Sequence, residues 1–306
     1  MTQFTNLDSA ETIFFERELE FKKAQTYDVV RAPLKAFELI PVSTEAGPGA
    51  EVISYEQYDM TGIAKIVANY ADDLPRADVK GKEFFAQVRS VGNSFGYSLQ
   101  EIRAAQLAGK SLEQRKSNAA ARSQREKWND IAFNGDAEYN LQGWLSNTNV
   151  PTSPVDAGAS TDTEWDTKTP SEILKDLNDA VNGVVDLTNG AEQPNTVVLP
   201  IAQYTQISTT RADSGTDTTI LEYFLQNSPF IDSVEWANEL KGAFTDGADG
   251  FIVYDRNPDK MTLEMPQTFE ILPVQERGLE YVVPCHSRIG GVIIYYPLSQ
   301  VFKSGI

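Results

Sequence analysis

Hydrophobic and polar positions fall into three regimes along the chain. From Met1 to Gly49 a short amphipathic piece, Ile13 to Lys23, is followed by extended segments broken by Pro33, Pro41 and Pro48. This stretch reads as an arm whose apolar residues need another surface to cover them. Beyond Glu45-Ala-Gly-Pro-Gly49, the segments Glu51 to Tyr58 and Glu83 to Tyr97 are rich in aromatic and β-branched residues and predict two strands. Between them Asp72-Asp73-Leu-Pro-Arg76, Lys80 and Lys82 are poor core material and good tip material. The simplest drawing is a long antiparallel hairpin projecting from the body. A lone two-stranded ribbon is marginal in water, so a neighbour should support it.

At Ser98 the grammar becomes helical. Ser98-Leu-Gln-Glu101 is a capping box, and Ser111-Leu-Glu-Gln114 repeats the device. No Pro or Gly interrupts Ser111 to Phe133, and Asn134-Gly135 supplies a stop. A helix of about 23 residues would be roughly 34 Å long. Small residues dominate its start and Trp128, Ile131 and Phe133 its end, which predicts a long rod with a narrow buried stripe.

An exposed loop rich in Ser, Thr, Asp and Pro, Thr148 to Thr169, leads to a third helix start at Thr169-Pro170-Ser-Glu172. Ile173, Leu177, Val181 and Val184 then give one apolar face to about Leu187. Next come strand Thr196 to Leu199, helices Pro200 to Thr209 and Thr219 to Gln226, and short strands at Ile231 to Trp236, Phe251 to Tyr254 and Met261 to Met265. Strands at Tyr281 to Cys285 and Val292 to Tyr296 close the chain. Helices and strands mix without the regular alternation of a doubly wound sheet, so the fold class is α+β.

Charge and composition narrow the chemistry. The 306 residues carry 26 Lys+Arg against 44 Asp+Glu, a net charge of -18, which disfavours a sequence-specific nucleic-acid binder. Locally the balance reverses: Ser98 to Phe133 holds seven Lys/Arg and four acids. Arg122 and Glu126 fit an i,i+4 pair on a solvated helix face, and the same surface suits phosphate contact. The single cysteine, Cys285, excludes an intrachain disulfide framework and fits synthesis in a reducing cytoplasm. No signal peptide is recognisable, and the most apolar window, Gly290 to Leu298, is far short of the ~20 residues of a membrane-spanning helix.

Catalytic motifs are missing. His286 is the only histidine, and it adjoins Cys285 on a strand, where neighbours point to opposite faces and do not meet as base and nucleophile. Asp136, Glu138 and Asn140 mimic a calcium loop, but Leu141 stands where the sharp turn wants Gly. Asp246-Gly-Ala-Asp249-Gly reads as a surface turn. No phosphate loop, dinucleotide fingerprint or Gly-x-Ser-x-Gly occurs, so no catalytic, metal or cofactor residue is assigned.

Two stretches carry a family resemblance. Trp128-Asn-Asp-Ile-Ala-Phe-Asn-Gly135-Asp136 followed by Leu141-Gln-Gly143-Trp144-Leu145, and the ending Arg288-Ile-Gly-Gly-Val-Ile-Ile-Tyr-Tyr-Pro297-Leu-Ser-Gln-Val-Phe-Lys-Ser-Gly305-Ile, resemble the Hong Kong 97-type major capsid proteins of tailed bacteriophages, whose fold encapsulins share. The likeness covers nearly the whole chain in order. It implies an N-terminal arm (1–49), an extended loop (50–97), a peripheral domain with a spine helix (98–194), an axial domain (195–278) and C-terminal strands completing the peripheral domain (279–306).

The function implied is self-assembly into pentamers and hexamers of an icosahedral shell around double-stranded DNA, without catalysis, cofactor or membrane. The subunit would be made and assembled in the host bacterial cytoplasm and reside in the virion. A portal protein and a separate scaffold or decoration protein are the implied partners. Asp72, Asp73, Arg76, Lys80 and Lys82 would form an intersubunit loop tip, and Arg115, Lys116, Arg122 and Arg125 a non-specific DNA-facing helix surface. Some relatives crosslink a loop lysine to an asparagine, a role in which Lys80 or Lys82 would compete with ordinary tip chemistry. Alternatives are an encapsulin-like compartment shell, an acidic hydrolase with paired carboxylates, and a tail or adhesion module.

Overall fold

The computed structural model describes residues 29–62, 65, 76–108, 113–213, 215–244 and 247–306. Two units separate between Pro33 and Leu34. Of the first, residues 29–33 are described; they have no regular secondary structure and expose Val29 and Val30. The predicted amphipathic piece Ile13 to Lys23 and the first half of the second capping box, Ser111 and Leu112, lie outside the described residues.

The second unit begins with a one-turn helix α1 (Ala36–Leu39) and a short strand β1 (Val42–Ser43), then the ribbon strands β2 (Val52–Thr61) and β3 (Asp78–Gln87). Strand β4 (Arg89–Ser98) runs into helices α2 (Leu99–Ala108) and α3 (Glu113–Asn134), the long spine. There follow β5 (Thr152–Pro154), α4 (Pro170–Leu187), β6 (Thr196–Leu199), α5 (Ile201–Thr209), α6 (Ile220–Asn227) and β7 (Ser233–Trp236). The last third is β8 (Gly250–Tyr254), β9 (Met261–Glu264), β10 (Gln267–Ile271), β11 (Gln275–Arg277), β12 (Glu280–Ile289), β13 (Gly291–Ile294) and β14 (Gln300–Ser304).

A mixed sheet in the order β5-β14-β8-β6-β7 separates two hydrophobic cores. Alternate residues of one strand serve both: Phe251 and Val253 face the core under α4, α5 and α6, while Ile252 and Tyr254 face the core at the end of the spine. Burial on both faces explains why β6 and β8 read as unbroken apolar runs, with no polar alternation. On α4 the stripe Ile173, Leu177, Val181 and Val184 is buried, and the Thr169–Glu172 capping box forms as expected.

Three expectations need correction. Residues 34–43, read as part of an arm seeking an outside surface, pack into the body's own core. Ala36, Leu39 and Ile40 are buried, Tyr254 Oη donates to the Leu39 carbonyl at 2.6 Å, and β1 pairs in parallel with β9. The strand read as continuous from Glu83 to Tyr97 is divided at Val88, which is buried and whose N–H donates to the Glu51 carbonyl. Before that point the chain pairs with β2, and after it β4 pairs along ten residues with β12. Finally, β14 pairs with β8 and β5 where no strand was expected.

Candidate assembly surface

Ten paired positions, Val52↔Gln87 to Thr61↔Asp78, make β2 and β3 a ribbon of roughly 30 Å. Its two faces differ. On one, Tyr55 and Phe84 stack at 5.1 Å, and Tyr55 meets Tyr295 of the residues following β13 edge-on at 4.9 Å. That contact seats the base of the ribbon. Beyond it every described side chain of both strands is exposed. The opposite face carries Tyr58, Met60, Val79 and Phe85, with Met60 81% and Phe85 67% exposed. Residues directly opposite in an antiparallel pair share a face, so Met60 sits beside Val79, and Glu56 stands across from Glu83. Tyr58 lies over Gly81, where an added β-carbon would come within 2.8 Å of the ring, and its hydroxyl donates to Glu56.

An exposed apolar ribbon face with a like-charge pair in its middle is unfavourable alone: the apolar area stays in water, and facing carboxylates repel. Of the predicted tip residues, Asp72 and Asp73 lie outside the described residues. Arg76 precedes β3 and is exposed, Lys80 stands opposite Asp59, and the Lys82 ammonium sits 4.7 Å from the Phe84 ring centroid.

The spine helix buries Ala120, Gln124, Trp128, Ile131, Ala132 and Phe133, a stripe at three- and four-residue spacing that widens toward the C-terminus. The four basic residues singled out on it separate. Lys116 turns toward β4: its ammonium donates to the Gly96 carbonyl at 2.7 Å and to Glu101 at 3.1 Å, and lies over Tyr97. Arg115, Arg122 and Arg125 stand away from the stripe, and Arg122 makes the expected bond to Glu126 at 2.9 Å. Capping at Ser98 forms in both directions, with Glu101 held below the usual carboxylate range by Lys116 and the Ser98 amide.

Two glycines lock the end of the spine. Gly135 has a φ of 74°, and the backbone of Gly143 packs so closely that a β-carbon there would lie 2.6 Å from the Asn134 carbonyl carbon. The returning segment caps the helix, since the amides of Trp144 and Leu145 donate to the Ala132 and Phe133 carbonyls at 2.8 Å. Trp144 is thereby delivered into the core, stacked near Phe133 and edge-on to Tyr254, with its indole N–H donating to Gln300 at 2.7 Å.

The weighed catalytic candidates are placed in structural roles. Cys285 is buried on β12 while His286 points to the other, half-buried face. Asp136 bonds Lys127 and closes a tight bridge with Leu141, and Asp249 accepts from Gly242 and Gln203. Among the described residues no group of three His, Cys, Asp or Glu side chains could hold a metal ion. Among them, too, no helix is long and apolar enough to cross a membrane.

Ribbon, spine helix, two-core body and closing strand together make an α+β architecture. It is the Hong Kong 97-type fold. Residues 62–306 match the family described as Major capsid protein, and the chain belongs to that family. The capsid of Myoviridae phage XM1 superposes with a TM-score of 0.82 at 17% identity, over 96% of this chain and 99% of that one. Mycobacterium phage Ogopogo gives 0.59 at 13%, covering 96% and 99%. A virus-like particle from Pyrococcus furiosus gives 0.54 at 14%, covering 89% and 92%. At these identities the likeness is one of fold. A search of curated protein sequences gives no match.

Proposed function

We propose that this capsid protein is the repeating subunit of an icosahedral shell built from pentamers and hexamers, enclosing double-stranded DNA in a virion. The observation that carries the reading is the β2–β3 ribbon, whose outer face leaves Tyr58, Met60, Val79 and Phe85 in water. A second copy covers that face, so assembly supplies burial that one chain lacks. In the family's division, the arm is 1–49, with 34–43 of it packed into the body, the extended loop 50–97, the peripheral domain 98–194 with 279–306, and the axial domain 195–278. The subunit works without catalysis or cofactor, beside a portal protein and a separate scaffold or decoration protein. DNA contact is non-specific and falls first to Arg115, the exposed arginine nearest the start of the spine.

An encapsulin-like compartment shell is the second reading, favoured by the fold shared with the Pyrococcus furiosus virus-like particle. Contents separate the two. Particles purified from the native source should contain nuclease-protected double-stranded DNA; a single enclosed cargo protein and no DNA would select the compartment.

A further inference from the structure

At the start of α4 a lysine and a carboxylate meet out of reach of water. The Lys168 and Asp176 side chains are 1% and 4% exposed, and Lys168 Nζ lies 2.6 Å from Asp176 Oδ2. Lys168 follows the single turn Trp165–Thr167, and Asp176 belongs to the buried stripe of α4 beside Leu177. Trp165 and Leu177 are part of the same hydrophobic core. Burying two charges in such a place costs desolvation, so the pair by itself says little about stability.

The groups around the two side chains say more. Lys168 Nζ also donates to the Asp156 carbonyl at 2.6 Å, which fixes the nitrogen beside the carboxyl group. The Trp165 indole N–H donates to Asp176 Oδ2 at 3.0 Å, and the Trp165 carbonyl accepts in turn from Gln206 of α5 at 2.9 Å. An amine, a carboxyl carbon, an oriented donor on the carboxyl oxygen and exclusion of water are the parts that acyl transfer needs. From these positions we infer that Lys168 Nζ and Asp176 Cγ condense to an isopeptide bond within one chain.

The step balances without any further reagent. The ammonium passes one proton to Oδ1, the nitrogen attacks Cγ, and negative charge gathers on Oδ2 within reach of the Trp165 N–H. The Cγ–Oδ1 bond then breaks, and a second proton from the nitrogen leaves with that oxygen. One water departs, and nothing is oxidised or reduced. Burial pushes the Asp176 carboxyl up, against the pull of Lys168, which favours the neutral acid that an amine can attack. The product is a permanent staple between the 165–167 turn and α4, beside the clasp that Glu172 makes to the Ala159 amide. It joins no two subunits and leaves Lys80 and Lys82 untouched.

Mass spectrometry of the denatured full-length chain reads the bond directly. The chain should weigh one water less than its sequence. Trypsin should leave Lys168 uncut and release a branched product, in which Lys168 joins the fragment ending at Lys175 to the one beginning at Asp176. Lys168→Arg keeps the positive charge and should show its full sequence mass, whether or not that variant folds. A parent chain at full sequence mass, a water loss mapped elsewhere in the chain, or a loss that persists in Lys168→Arg overturns the inference.

Discussion

Gly143 lies backbone to backbone against Gly135, with no room for a β-carbon between the end of the spine and the segment that returns across it. Replacing Gly143 by Ala pushes the new methyl to within 2.7 Å of the Phe133 carbonyl oxygen and breaks the cap formed by Trp144 and Leu145. The expected cost is about 3 kcal/mol. Thermal unfolding of the unassembled subunit checks it, and a melting point equal to the parent's would contradict the lock.

Trp144 joins the spine to the central sheet. Trp144→Phe removes the donor to Gln300 Oε1 and leaves that acceptor buried, a loss of about 1–3 kcal/mol. Urea titration should show a lower midpoint with unchanged slope.

The outer ribbon face supplies the test that separates folding from assembly. Met60→Asp and Phe85→Asp change exposed positions, so each should leave monomer stability within about 0.5 kcal/mol. Both should abolish particles in size-exclusion chromatography. Normal particles from both would show that this face stays in water.

Glu172 predicts an acid dependence. It accepts from the Thr169 and Ala159 amides and the Thr169 hydroxyl, which hold its carboxyl down to about 2 from 4.5. A folded-state value below the unfolded one contributes stability that is present above about 4.5 and lost as pH falls toward 2. Glu172→Gln should therefore be less stable than the parent at pH 6, with the gap narrowing below about pH 4.5 and closing only as pH approaches 2 in urea unfolding. A gap that stays constant would refute the linkage.

Much of this architecture is legible in the sequence, and the gaps have physical causes. The stripe on α4, the stop at Asn134-Gly135 and the opposed directions of Cys285 and His286 follow from periodicity and turn chemistry. The break at Val88 does not, because residues on both sides are good strand formers and only the change of partner, from β2 to β12, divides them. Burial of Ala36 and Leu39 is hidden by flanking prolines that read as an extended arm. On the spine, Lys116 and Arg115 are sequence neighbours of identical charge, yet roughly 100° of helical rotation sends one to the Gly96 carbonyl and the other to solvent. A groove beside Trp128 draws on α1, the spine and the segment 265–269, which no local pattern brings together.

Electron microscopy of the protein purified from its native source, with whatever copurifies, tests the central claim most directly. The account predicts closed shells with fivefold and sixfold rings. A chain that stays monomeric and dispersed, with the ribbon's outer face still in water, would contradict it.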